Sequence, residues 1–99
     1  MAITEVELER DRVRVHLSCK RPWGTPDDRS VVEVPFDRLA ALPPAPPLQP
    51  ECYPGSVCWD ETVALPEQSA SLTFRFAKWK ELSDCYMEVL VGGPFLAPS

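Results

Sequence analysis

The side chains with the most chemical capacity in this chain are four cysteines, Cys19, Cys52, Cys58 and Cys85, one histidine, His16, and the adjacent carboxylates Asp60 and Glu61. An even set of cysteines can make disulfides, a thiolate metal centre or a nucleophile. No CxxC pair is present and one histidine cannot complete a mixed site, so a metal would need thiolates converging from distant segments; no metal or cofactor is expected. The chain opens on a strand pattern without a secretion leader, so free thiols packed as small apolar groups are the expected state. A nucleophile would have to be Cys58 or Cys52 in a loop. His16 does not help Cys19, which lies three residues along the same strand and points the opposite way. Asp60 and Glu61 stand beside Trp59, but paired carboxylates need a cleft and an opposed geometry before they hydrolyse a glycoside. With no acid, base and nucleophile in one place, the chain is not expected to be an enzyme.

Binding residues are easier to find. Trp23 sits among Lys20, Arg21, Asp27 and Asp28 in a segment broken by prolines and a glycine; it can cap the open end of a sheet or anchor a partner. Towards the carboxy terminus, Trp79, Tyr86 and Leu90 alternate onto the outer face of a strand pair on which Arg75 stands opposite Glu88. That face is less polar than a solvated one, which marks it for a protein partner or a homodimer seam. Arg12, Arg14 and His16 could form a cationic stripe, but Glu5, Glu7 and Glu9 on the preceding strand can pair with them, and a solvated ion-pair ladder is the simpler reading.

The elements that must position these residues follow from periodicity. Residues 3–9 and 12–19 alternate strictly and are separated by Arg10 and Asp11, which predicts a hairpin with Glu9 opposite Arg12. That register sets Leu8 against Val13 and Val6 against Val15 on an inner face, and Glu7 against Arg14 and Glu5 against His16 outside. Residues 20–30 read as a long loop. A strand then ends at Pro35, and Asp37 caps a short helix near residues 37–42 that Pro43 closes. Residues 43–50, PPAPPLQP, form a stiff polyproline connector; their PxxP spacing also fits an SH3 or WW ligand, but no orienting basic residue stands beside it. Residues 57–59 and 62–65 read as two short strands separated at Asp60 and Glu61, and 66–71 as a linker. A second hairpin spans 72–91, with Phe76 facing Met87, Phe74 facing Val89 and Leu72 facing Val91. Residues 92–99 form a tail.

Ninety-nine residues with 44% hydrophobic content make one domain with one core. The expected class is α+β and strand-dominated: two antiparallel hairpins and a central strand pair in one sheet or two packed sheets, with one short helix. A net charge of −5 disfavours direct nucleic-acid binding, which needs basic surface, and favours a basic partner. No apolar run is long enough to cross a bilayer, so no membrane association is expected and the default location is cytoplasmic. Arginine over lysine and abundant alanine and proline suggest a GC-rich bacterial or phage genome.

The opening ITEVE, then VVEVPFDRLAAL, then GSVCWDETVAL resemble the small bacterial domains of the DUF2442 family over about residues 2–67. This chain has KRPWGTPDD where that family has a glycine turn, Asp60 where a proline usually follows the tryptophan, and an added hairpin from Leu72 to Val91. The resemblance implies a small intracellular α+β domain of unassigned activity, often encoded beside toxin-like partners. The expected function is a non-enzymatic, regulatory protein-interaction module, antitoxin-like or inhibitor-like, using the outer face of the carboxy-terminal hairpin. One alternative is a phage-encoded inhibitor mimicking nucleic acid through Glu5, Glu7, Glu9, Asp27, Asp28, Asp60 and Glu61; another is a cysteine-dependent enzyme.

Overall fold

The computed structural model describes residues 2–19, 28–49, 51, 54–79 and 86–93, and of Asp28, Trp79 and residues 86–91 the backbone alone. Strands dominate, and they form two antiparallel sheets of three strands each. The first contains β1 (Ile3–Leu8), β2 (Arg12–Cys19) and β3 (Asp28–Pro35) in that order; the second contains β4 (Ser56–Leu65), β5 (Ala70–Trp79) and β6 (Tyr86–Gly92). Their inner faces meet in a single cluster: Val13, Val15, Leu17 and Val34 from one sheet pack with Val63, Leu65, Leu72, Phe74 and Phe76 from the other. Of the two expected arrangements, one sheet or two packed sheets, the second is found, with three strands in each sheet and no separate central pair. The helical part of the α+β label reduces to 3-10 turns, Phe36–Ala41 and Pro66–Gln68.

The first hairpin has the register that its charges and valines specify, with Leu8 opposite Val13, Val6 opposite Val15, Glu7 opposite Arg14 and Glu5 opposite His16. Both faces agree on it, since a one-residue slip would turn every valine outward. An irregularity between Ile3 and Glu5 then shifts the pairing so that Ile3 meets Leu17. β3 pairs with β2 along its whole length from Asp28 to Pro35, so the expected loop over 20–30 gives up its last residues to the sheet; the rest of that loop, Trp23 included, lies outside the described residues.

Four local expectations are corrected. Asp37 does not cap the helix: its N-cap is Pro35, with no side-chain hydrogen bond, and the segment is a 3-10 helix that buries Leu39. Prolines at 35 and 43 leave too few residues for a stable α-helix. Asp60 and Glu61 do not interrupt a strand pair, because β4 runs unbroken from Ser56 to Leu65 and pairs in full with β5, Ser56 opposite Trp79 and Leu65 opposite Ala70. The tight connection between them turns at Ser69, the one non-glycine residue with positive φ among the described residues, so the expected linker 66–71 is a hairpin turn. In the β5–β6 pair, Phe76 faces Met87 and Arg75 faces Glu88 as expected, but register shifts then set Phe74 opposite Leu90 in place of the expected Val89, and Thr73 opposite Gly92.

The expected free thiols are also corrected. Cys19, at the end of β2, and Cys58, in β4, are both disulfide-bonded, and no described cysteine is free. Cys52 and Cys85 lie outside the described residues.

Candidate functional site: the open edge between the sheets

β5 is buried on both sides. Leu72, Phe74 and Phe76 face the core, and Thr73, Arg75 and Ala77, on the face expected to be open, are buried as well. Arg75 is 9% exposed and its guanidinium makes hydrogen bonds through Nε and Nη2. Nε donates to Asp60 Oδ1 at 2.8 Å and Nη2 to Asp60 Oδ2 at 3.1 Å, a bidentate pair, while Nη2 also donates to the carbonyl of Pro46 at 2.6 Å. The proline connector is therefore a strap laid over the second sheet. The amide of Gly93 donates to Pro43 O at 3.0 Å, and a Cβ at Gly92 would come within 2.5 Å of the same carbonyl, so the crossing needs glycine there. Of the residues singled out for partner binding, Arg75 is thus a buried structural cation. Glu88, Tyr86 and Leu90 lie on β6 and Trp79 ends β5, with side chains outside the described set. By backbone register Leu90 lies opposite Phe74.

The outer face of the first sheet is a water-exposed charge ladder. Arg14 reaches Glu33 at 2.9 Å, Glu9 at 3.7 Å and Glu7 at 4.0 Å, and Arg12 lies 3.7 Å from Glu9 and 3.6 Å from Glu33. This bears out the solvated reading of the stripe. His16 contacts Glu7 closely through Nε2 and lies 3.9 Å from Glu5. One ligand atom from each of Glu5, Glu7 and His16 falls within 4.8 Å of the others, close enough for a single divalent cation to reach all three. Arg14 competes for Glu7.

The unexpected feature is the flank where β1 and β4, the outermost strands of their sheets, lie over one another. Val6 and Leu8 belong to the inner face by register, yet they are 41% and 64% exposed, whereas their partners Val15 and Val13 are completely buried. The core cluster is centred on β2, β4 and β5, and β1 overhangs it. Beneath the overhang lies an open groove of about 440 Å³ lined by Ile3, Val6, Glu61, Thr62, Val63 and Ala64. Glu61 closes its end. It accepts hydrogen bonds from the amides of Ala2 at 3.1 Å and Ile3 at 3.2 Å and from Trp59 Nε1 at 2.8 Å, which ties β4 to the start of β1. Partial burial pushes the Glu61 carboxyl up, but the Trp59 and backbone donors together outweigh it and hold the group below the usual carboxylate value. Trp59 in turn stacks on Phe76 at 5.6 Å between ring centroids, so the tether is anchored in the core.

Alternation in the sequence places Val6 and Leu8 on the inner face but cannot say that the opposite sheet stops short of them. The cysteine hypothesis fails at Cys58, whose sulfur is in a disulfide and buried. No helix among the described residues is long and apolar enough to cross a membrane. No family model, curated protein or solved structure matches the chain, so the resemblance to DUF2442 domains rests on the residues quoted for it.

Proposed function

We propose that the protein is a non-enzymatic interaction module whose binding site is the groove between β1 and β4, with an extended segment of another protein as its occupant. The observation that carries this reading is the exposure of Val6, which lines the open groove, and of Leu8 beyond it on the same face, in a sandwich that buries their cross-strand partners Val15 and Val13 entirely. Among the described residues that line the groove, Glu61 is the one ionisable group, its oxygens are taken by Ala2, Ile3 and Trp59, and no base stands beside the Thr62 hydroxyl. A regulatory role, antitoxin-like or inhibitor-like, fits a small acidic module that works by occupancy. Mimicry of nucleic acid is less favoured, because Glu5, Glu7 and Glu9 are met by Arg12, Arg14 and His16, and Asp60 by Arg75. The disulfide-bonded Cys19 and Cys58 favour an oxidising compartment over the cytoplasm.

The test is affinity capture from a lysate of the source organism at low and high salt, with the wild-type chain and with Val6→Lys. A stoichiometric protein that survives high salt and is lost with Val6→Lys is the expected result, since apolar contact is little screened. Equal capture by both would place the binding surface elsewhere.

A further inference from the structure

Among the described residues β1 pairs with β2 alone, and its other edge carries a more specific instruction about its occupant. The amide of Glu9 donates to the carbonyl of Arg12 at 2.9 Å, so 9 and 12 form a hydrogen-bonded pair. Antiparallel pairs alternate, and in the observed register Glu7 with Arg14 and Glu5 with His16 are then bonded pairs as well. Val6 and Leu8 therefore present their N–H and C=O groups away from β2, along the open flank. Edge strands are usually blunted by a proline, a lysine or an inward-pointing charge, and β1, ITEVEL, has none of these. Its irregularity near Thr4 confines an unobstructed edge to residues 5–8.

The side chains define the chemistry. On the inner face, exposed Val6 and Leu8 want an apolar neighbour beside them, and Val6 places it next to the groove it lines. On the outer face stand Glu5, Glu7 and Glu9, and every cation paired with them among the described residues comes from β2. β2 answers β1 with RVRVHL, cations outside and apolar residues inside. A strand on the other flank meets the same two faces. A second copy of β1 does not suit it, because any register that keeps the valines inward sets glutamate against glutamate.

We propose, building on the interaction reading above, that β1 accepts an extended peptide of alternating basic and apolar residues as an added strand, main chain to main chain with Val6 and Leu8, its apolar side chains over the β1–β4 groove and its basic ones on Glu5, Glu7 and Glu9.

Three synthetic peptides test this against the intact, disulfide-bonded chain by fluorescence polarisation: one alternating arginine and valine, one alternating glutamate and valine, and the arginine–valine peptide N-methylated at every second residue, prepared in both phases. The arginine–valine peptide is expected to bind, with the glutamate peptide and one N-methylated phase each weaker by at least about tenfold. Val6→Lys, a substitution at an exposed edge position, is expected to weaken binding by a similar factor. Equal binding of both N-methylated phases, with loss in Val6→Lys, would overturn strand addition and leave the groove as a side-chain site. Equal binding of the arginine and glutamate peptides would overturn the charge assignment. Failure of the arginine–valine peptide to bind, or binding indifferent to Val6→Lys, would overturn the proposal; the second result would also remove the groove from the functional reading.

Discussion

β5 and β1 are written in the same pattern and have opposite fates. SLTFRF and ITEVEL both alternate apolar with polar residues, yet β5 is buried on both faces and β1 leaves Val6 and Leu8 of its apolar face exposed. Pattern assigns a residue to a face; position in the sheet and whatever lies across that face decide its burial. β5 is the middle strand of its sheet, with the first sheet on one side and the proline strap on the other, whereas β1 is an edge that extends past the opposing layer. Stability should therefore concentrate at β5 and binding at β1.

Substitutions along the two strands test that division. The largest effect is expected at Phe74, which is completely buried: Phe74→Ala should cost about 3–5 kcal/mol in denaturant unfolding. Next is Asp60→Ala, which strips the buried Arg75 guanidinium of its bidentate carboxylate, a loss on the order of 3 kcal/mol by the same measurement. Gly92→Ala should cost about 1–3 kcal/mol, because its Cβ would press on Pro43 O and lift the strap; an unchanged midpoint would mean that the strap is not fixed there.

Smaller effects belong to β1 and its tether. The Glu61 carboxyl is held below its ordinary value of 4.5, so its contribution is present above that pH and is lost as pH falls through the lowered folded value. Wild type should exceed Glu61→Gln by less than about 1 kcal/mol near neutrality, the tether being partly solvated, and the two should converge in acid. A gap that widened on acidification would contradict the assignment. Leu8→Ala should change stability by no more than about 0.5 kcal/mol, since the side chain is already mostly in water. A cost near that of Phe74→Ala would show that β1 is core.

What could be read in advance divides along the same line. The register of the first hairpin was legible because local charges and valines agree on it. The continuity of β4 was not, because Asp60 and Glu61 resemble a turn until their partners are known: Arg75 on the neighbouring strand, and amides at the far end of the chain. Arg75 reads as an exposed outer residue, and only the strap, which looks in sequence like a plain connector, explains its burial. The disulfides escaped for a similar reason, since spacing does not bring thiols together. The candidate site itself is a place where the expected cover is missing, and no local pattern announces that.

Backbone amide exchange, resolved residue by residue in the free protein, tests the open edge most directly. Rapid exchange at Val6 and Leu8, beside protected amides at Glu7 and at Phe74 and Phe76, is the pattern an unpaired β1 edge predicts. Protection at Val6 and Leu8 comparable with that of β5 would mean that the edge is already filled, and that the binding site lies somewhere else on the molecule.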